Sequence, residues 1–228
     1  MVRVHLVVEG QTEETFVRKV LAPYLGSCRV FVDARSVETS RHHSKVYRGG
    51  VLDYGRVRRD LERWMRQDDH GDCHFSTMVD LYHLPEDFPR LEEARKQQNP
   101  YDRIKILEDG FRQDIDHPRF IPYIQLHEFE ALLLCDPNAF DTEFNEHRAA
   151  IDNLVRMAQE FESPELINDG QETAPSKRII KEIPDYLGRK VSSGPLIAER
   201  ISLPALRAKC QHFNEWLHQL EELEGAER

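Results

Sequence analysis

The sequence has 228 residues, of which 31 are Lys or Arg and 41 are Asp or Glu, so its net charge is −10. A hydrophobic fraction of 39% beside a charged fraction of 32% fits an ordinary soluble protein that is long enough to bury a real core. No run of about 18 apolar residues is present, which excludes a membrane-spanning helix.

The cysteines favour a reducing compartment. Cys28, Cys73, Cys135 and Cys210 lie far apart and form no CxxC pair, which is typical of reduced thiols and not of a disulfide framework. The first residues have the pattern of a strand and not of a cleavable secretory leader. We therefore expect a cytoplasmic protein that makes no contact with a membrane.

The chain begins with a strand, a helix and a second strand. Residues 2–8 are apolar and β-branched, and they end at Glu9 and Gly10. Thr12 is the expected N-cap of the following helix, and a second strand is predicted over Cys28–Val37. A strand–helix–strand unit of this length predicts parallel pairing.

The middle of the chain alternates helices and strands. After a loop over residues 38–50, the spacing of apolar residues predicts helices and strands in the order helix Asp53–Gln67, strand Phe75–Tyr82, helices Glu92–Gln98 and Tyr101–Asp114, and strand Phe120–Leu126. Because the strands stop near residue 127, we predict an α/β core over residues 1–136. Its mostly parallel sheet has about four strands flanked by helices.

The remainder, residues 137–228, is predicted to be a helical extension that packs on the core. Residues 138–162 have helical periodicity, and a helix is expected to open near Pro175 with Thr173 as its cap. The last long helix begins at Ser202 and carries an apolar seam. Packing of this seam on its own core is the expectation, and pairing with a second copy in a homo-oligomer is the alternative.

Carboxylates stand at the ends of three predicted strands. Glu9 follows the first strand, Asp80 lies at the end of the third, and Glu128 or Glu130 follows the fourth. In a parallel sheet these ends share one edge, where ligands bind in open α/β sheets. Clustered carboxylates repel one another and select hard cations such as Mg²⁺ or Mn²⁺. A single acid at such a position is more often a cap or a surface carboxylate, but three together favour a metal site.

Basic residues concentrate in one segment of this acidic chain. Residues 41–66 hold eight Lys or Arg and three acids, a local charge of +5 that leaves −15 elsewhere. Such a patch can hold a phosphate backbone, although a solvated helix face beside a basic loop explains it equally well. The candidate nucleic-acid-binding residues are Arg41, Lys45, Arg48, Arg56, Arg59, Arg63 and Arg178.

Other common chemistries lack their residues. A zinc peptidase motif that started at His127-Glu128 would need a histidine at position 131, which is Ala131. His70, Asp72, Cys73 and His74 match no standard metal-site spacing, so a polar turn is the expected structure. No P-loop or GxGxxG is present, so the chain is not expected to bind ATP by itself.

Four blocks of the sequence resemble a known family. Val7–Glu13 is similar to the opening motif of TOPRIM domains, especially those of the OLD (overcoming lysogenisation defect) nucleases, and Met78–Tyr82 stands where those have Asp-x-Asp. Pro122–Glu130 and Glu172–Arg178 resemble signature blocks of a TOPRIM-like bacterial family of unknown function. Genes of that family commonly lie beside AAA-type ATPases in defence and mobile islands. The resemblance covers residues 2–180 and implies a TOPRIM-like (Rossmannoid) fold.

The resemblance also implies roles for individual residues. Glu9, Glu13 and Asp80 would bind metal. Lys177 would be the lysine near the scissile phosphate. Glu128 or Glu130 would be the acid after the fourth strand that completes the catalytic site.

Tyr82 departs from the pattern. It replaces the second aspartate of Asp-x-Asp and removes one metal ligand, which leaves open a site with one metal ion or an inactive site. Glu86 and Asp87 are weak candidates to replace the missing ligand.

Three functions follow from these patterns. The first is a Mg²⁺- or Mn²⁺-dependent phosphodiesterase, a nuclease of a cytoplasmic anti-phage or mobile-element defence system. The alternative is a non-catalytic TOPRIM-like scaffold or sensor that partners an AAA-type ATPase. A toxin that acts on RNA is the third. DNA and RNA stay open as substrates, because both present the same backbone phosphates.

Overall fold

The computed structural model describes residues 1–42, 45–48, 53–167 and 173–226, and for residues 38–42, 45–48 and 226 it describes the backbone alone. A mostly parallel sheet forms its centre, with neighbouring strands in the order β2-β1-β5-β6 and with β7 also paired to β5. The strands are β1 (Val2–Val8), β2 (Val30–Ser36), β3 (Glu38–His42), β4 (Lys45–Arg48), β5 (Cys73–Asp80), β6 (Phe120–Ile121) and β7 (Ile124–Gln125). The structure therefore confirms the predicted α/β class.

Strand β1 lies at the centre of the sheet, between β2 and β5, and six of its seven residues are buried. Val4, Leu6 and Val8 join the larger hydrophobic core, and Val7 joins a second core on the opposite face. The apolar run Leu6-Val7-Val8 at its carboxyl end is typical of a parallel strand covered by helices on both sides. Val8 pairs with both Ser36 and Met78, so the carboxyl ends of β1, β2 and β5 are level at one edge.

Helices cover both faces of the sheet. The α-helices are α1 (Gln11–Phe16), α2 (Ala22–Ser27), α3 (Tyr54–Gln67), α4 (Leu91–Ala94), α5 (Pro100–Ile115), α6 (Glu130–Leu133), α7 (Arg148–Ala158), α8 (Pro175–Glu182), α9 (Tyr186–Ile201), α10 (Leu203–Lys209), α11 (Gln211–Glu221) and α12 (Leu223–Ala226). A π-helical turn, Val17–Leu21, joins α1 to α2. Short 3₁₀ turns occupy Leu81–His83, Pro137–Thr142, Asn145–His147 and Pro164–Leu166.

The C-terminal helices share the larger core with the sheet. Ile197 of α9 and Phe213 of α11 are buried in the same cluster as Leu6. Gly194 permits the close approach of α9 to α1, since a Cβ there would lie 3.3 Å from the Thr12 side chain and 3.3 Å from the Tyr186 hydroxyl. The division of the chain at residue 136 stays a prediction.

The segment predicted as a loop over residues 38–50 contains a hairpin. Strands β3 and β4 pair antiparallel, with Glu38 opposite Arg48 and His42 opposite Lys45. Their sequence lacks alternating apolar residues, so the pairing rests on backbone hydrogen bonds that hydrophobic periodicity does not reveal.

Both predicted helix caps were wrong. Gly10, not Thr12, is the N-cap of α1, and the carboxylate of Glu13 accepts the Gly10 N–H at 2.9 Å. Ala174, not Thr173, precedes α8. In α1 a glutamate in the first turn satisfies the free amide, so no hydroxyl is needed at the cap.

The predicted last helix is divided at Cys210, which has an extended backbone between α10 and α11. The buried Glu165 carboxylate accepts the N–H groups of His212 (3.0 Å) and Phe213 (2.9 Å) that open α11. The preceding helix, α9, was not predicted. Among the described helices, none combines the length and the apolar character needed to cross a membrane.

The fourth strand is broken at Pro122, between β6 and β7. Thr77 of β5 bridges the break, because its hydroxyl accepts the Tyr123 N–H at 3.0 Å and donates to the Tyr123 carbonyl at 3.0 Å. Both residues are fully buried. A side chain thus replaces the ladder hydrogen bonds that the strand loses at the proline.

We expect Thr77→Val to destabilise the fold by about 2–3 kcal/mol, since it leaves the buried amide groups of Tyr123 without partners while conserving volume. Urea unfolding monitored by circular dichroism measures this change. The control is Thr142→Val. The Thr142 hydroxyl donates to the Ala139 carbonyl at 2.8 Å, but Thr142 is itself exposed, so water can replace this bond. Equal stability of the two variants would contradict the role of Thr77.

Candidate metal centre

Five buried carboxylates surround the carboxyl edge of the sheet. Glu9 directly follows β1, and Asp80 ends β5. Glu13 lies in the first turn of α1, while Glu128 and Glu130 lie in the turn that enters α6. None of the five is more than 9% exposed. The structure therefore brings together the acids that the sequence predicted at this edge.

Glu9 connects the ends of β1 and β5. Its Oε2 accepts the backbone N–H of Asp80 at 3.0 Å, and its Oε1 lies 2.6 Å from Nδ1 of His83. The hydrogen bond to Glu9 raises the pKa of His83, although burial of the imidazole opposes the change. The carboxylate of Glu9 is thus fixed in position at both oxygens.

Asp80 is the least satisfied member of the cluster. Among the described residues, its Oδ1 is buried and has no hydrogen-bond partner. Burial raises the pKa of Asp80 well above its ordinary value, and the charges of the four glutamates raise it further. Ligand atoms of Glu9, Asp80 and His83 lie within 4.8 Å of one another. An unsatisfied buried oxygen is costly, and a divalent cation at this position would satisfy it.

Glu128 and Glu130 are held by the C-terminal helices. Glu128 accepts hydrogen bonds from the backbone N–H of Ser176 and, at 3.0 Å, from its hydroxyl. Glu130 accepts from the Tyr186 hydroxyl at 3.2 Å and pairs with Nζ of Lys190 at 2.9 Å. These contacts bring α8 and α9 to an edge formed otherwise by the N-terminal half.

The turn that carries these two glutamates is strained at His127. This residue has φ of 65°, in the left-handed region, and its carbonyl accepts the Tyr82 N–H at 3.0 Å. Its Nε2 lies 2.9 Å from the carbonyl of Glu165. A non-glycine residue holds this conformation only where its surroundings impose it, which is common at functional sites.

Burial and mutual repulsion favour the protonated forms of the acids. Burial, followed by the Glu9 charge, raises the pKa of Glu13 to about 8. Burial and the Glu130 charge also raise the pKa of Glu128, although both Ser176 hydrogen bonds oppose the change. Burial lowers the pKa of Lys190, but the opposing Glu130 charge prevails and raises it above its ordinary value. Lys190 is therefore a stable cation at this edge.

Lys177 lies in the first turn of α8, near a helix start as the sequence suggested. Its side chain is exposed on α8, whereas Lys190, which was not predicted, contacts the acidic cluster. The sequence signal for Lys190 was hidden because α9 itself was not recognised. The catalytic role of Lys177 stays an untested prediction.

His83 was also not predicted as a ligand, although it directly follows Tyr82, which replaces the second aspartate of Asp-x-Asp. The two weak candidates for the missing ligand are both exposed. Glu86 pairs with Arg95 at 2.6 Å and is 79% exposed, and Asp87 is also exposed. A strand end followed by Asp-x-x-His could have indicated His83, because a 3₁₀ turn folds it back on the strand.

The predicted nucleic-acid-binding residues whose side chains the structure describes lie on α3 and α8. Arg56 and Arg63 form ion pairs on α3 with Asp53 (3.4 Å) and Asp60 (4.0 Å), and Arg59 is exposed there. Arg178 donates to the Thr173 carbonyl at 2.8 Å. The side chains of Arg41, Lys45 and Arg48 lie outside the described part of the structure, as does Glu172.

Two other groups of side chains have metal-like spacing. In the group His5, Asp68 and Cys73, both Asp68 oxygens contact the Arg3 guanidinium, at 2.5 and 3.0 Å, so a cation is already in place. The group Glu146, His147 and Asp185 lies at the surface. His5 Nδ1 is also buried without a partner among the described residues, but Arg3 already neutralises Asp68 there, so the edge with the unsatisfied Asp80 oxygen is the better site.

Glu13 should make the metal-free protein less stable as the pH rises. Its folded-state pKa lies above its ordinary value, so its contribution to stability is complete below about pH 4.5 and is lost as the pH approaches 8. We expect Glu13→Gln to unfold like the wild type at pH 4 and to be more stable by about 4 kcal/mol at pH 8. Urea titrations in EDTA measure this difference. Exposed Glu146→Gln is the control, and a pH-independent difference for Glu13→Gln would contradict the prediction.

Comparison with known proteins gave one family. The comparison with curated proteins and the comparison with solved structures each gave no match. The matching family model spans residues 8–221, which include all five carboxylates and Lys190. The chain belongs to the family described as Domain of unknown function (DUF4276).

Proposed function

We propose that the protein is a metal-dependent phosphodiesterase, a nuclease of TOPRIM type. The observation that supports this most is the buried, unsatisfied Oδ1 of Asp80 among acids at the carboxyl edge of the sheet. The resemblance of Val7–Glu13 and Met78–Tyr82 to TOPRIM and OLD-family nucleases points to the same chemistry.

Glu9, Asp80 and His83 would hold the ion. Two carboxylates and an imidazole suit Mn²⁺ well, and the oxygen donors also suit Mg²⁺. When bound, the ion supplies Lewis acidity toward a phosphate oxygen and acidifies water. Because Asp80 and Glu13 have raised pKa values, binding should release protons and strengthen with pH.

The other side chains would prepare the site for an anionic substrate. Glu13, whose pKa is about 8, can exchange a proton at its carboxylate near neutral pH. Ser176 fixes the orientation of Glu128, which would complete the site. Lys190 would stabilise charge on the phosphate, because its cation lies beside Glu130 and is 32% exposed.

The biological setting rests on the sequence blocks. Their resemblance to proteins encoded beside AAA-type ATPases supports a part in anti-phage or mobile-element defence, in the cytoplasm and with an ATPase partner. The substrate would be a DNA or RNA backbone.

The alternative is a non-catalytic TOPRIM-like scaffold or sensor subunit. Tyr82 favours it, because it occupies the position of the second aspartate. His83, however, offers a nitrogen ligand next to that position, at 2.6 Å from Glu9. Absence of Mn²⁺ binding in calorimetry would favour the scaffold.

We expect calorimetry to detect Mn²⁺ binding to the wild type. Glu9→Gln and Asp80→Asn should each weaken this binding at least about tenfold, because each removes the negative charge of a carboxylate that would bind the ion. The same variants should lower Mn²⁺-dependent cleavage of labelled DNA or RNA at least about 100-fold. Exposed Glu86→Gln should match the wild type in both assays. Cleavage that survives both substitutions would overturn the proposed function.

Lys190 and Lys177 can be compared directly. We expect Lys190→Met to lower the cleavage rate by about 100-fold, because it removes a cation from the site, and Lys177→Met to change it less than about threefold. Single-turnover assays at saturating Mn²⁺ separate this effect from metal affinity. The reverse order would return the catalytic role to Lys177.

A further inference from the structure

A cleft of about 400 Å³ lies along the edge strand β2. It opens near the carboxyl ends of β1 and β2, where Val7 and Ser36 line it. Val7 is two residues before Glu9, and another lining residue, Glu14, directly follows Glu13. One end of the cleft is thus close along the chain to the acidic cluster, while Trp64, which stacks on His5, lies farther back along β1.

Three arginines from separate elements line this cleft. Arg18 comes from the π-helical turn after α1, Arg35 from β2 and Arg63 from α3. Their side chains are 58%, 56% and 58% exposed. Only Arg63 was singled out from the sequence, because the other two lie outside the basic segment and converge through folding alone.

The charges of two of these arginines are only loosely compensated. Arg35 lies 3.7 Å from Asp33, and Arg63 lies 4.0 Å from Asp60. Exposed ion pairs at such distances contribute little and can be exchanged for another anion. Arg18 has a different role, because it pairs with Glu14 at 3.0 Å and donates to the Ala34 carbonyl of the edge strand at 3.1 Å.

Arg35 is held in place by an aromatic stack. Its Cζ lies 4.0 Å from the ring centroid of Trp64, and Trp64 stacks on His5 with centroids 4.2 Å apart. A guanidinium held flat on an indole loses little entropy when its N–H groups bind an oxyanion. The stack thus prepares Arg35 for a phosphate.

We propose that this cleft binds the phosphate backbone of a nucleic acid strand, next to the phosphate that reaches the metal centre. The inference rests on the proposed function and names where its substrate is held. Trp64 is 4% exposed, with Arg35 and His5 over its ring, so no aromatic face is left for a base. The cleft therefore recognises charge and not sequence.

The test measures the binding of 5′-labelled single-stranded 12-mers of DNA and RNA by fluorescence anisotropy. EDTA is present so that no cleavage occurs. We expect the double variant Arg35→Gln, Arg63→Gln to bind at least about tenfold more weakly. The slope of log affinity against log salt should fall in magnitude by about 1.4, since two contacts with a single strand are lost. The difference between the DNA and RNA arms identifies the preferred strand.

Arg148→Gln is the matched control, because this arginine is 57% exposed on α7 and pairs with Asp152 at 3.1 Å outside the cleft. It should bind like the wild type. Arg35→Lys keeps the charge but loses the planar stack, so it should weaken binding while leaving the salt slope nearly unchanged. Circular dichroism and urea unfolding verify that each variant is folded.

Unchanged affinity and slope in the folded double variant, or no binding by the wild type, would overturn the cleft as the backbone site. This result is distinguishable from failure of the proposed function. If the cleft variants behave as the control while Asp80→Asn abolishes Mn²⁺ binding and cleavage, the nuclease stands and the cleft does not. If oligonucleotide binding depends on Arg35 and Arg63 but no Mn²⁺ binds, the cleft stands and the nuclease does not.

Discussion

Repulsion among five buried carboxylates is the constraint on which the rest of this structure depends. Water stabilises such groups at a surface, but here the protein itself must do so. It uses the backbone N–H groups of Gly10, Asp80 and Ser176, together with the side chains of His83 and Lys190. Among the described residues, Asp80 Oδ1 has no hydrogen-bond partner, and this unsatisfied oxygen is the feature that favours a bound cation.

The two halves of the chain divide this task. The parallel sheet places Glu9 and Asp80 side by side, because β1 and β5 end level at one edge. The C-terminal helices supply the groups that hold Glu128 and Glu130. A protein selected for stability alone would bury apolar residues at this edge, so the cluster has the character of a functional site that lowers stability.

Much of the fold and part of the site could be predicted from the sequence. Apolar runs that end in acids predicted the parallel sheet. They also predicted that Glu9, Asp80 and Glu128 lie at one edge of it. The partners of these acids could not be predicted, because Lys190, Tyr186 and Ser176 reach the site through tertiary packing that leaves no local pattern. The hairpin β3–β4 and the break at Pro122 were missed for a related reason, since backbone and Thr77 hydrogen bonds hold them and hydrophobic periodicity does not.

The contacts between the C-terminal helices and the acids bear on how this chain can be divided. A fragment that ended at residue 136 would retain all five carboxylates but would lose Ser176, Tyr186 and Lys190. Two buried acids would then face solvent or an unpaired interior, and the apolar surface of the larger core would be uncovered. The helical part is therefore no detachable appendage. Recombination that exchanged one half alone would have to bring matching partners for Glu128 and Glu130, so the two halves are expected to be inherited together.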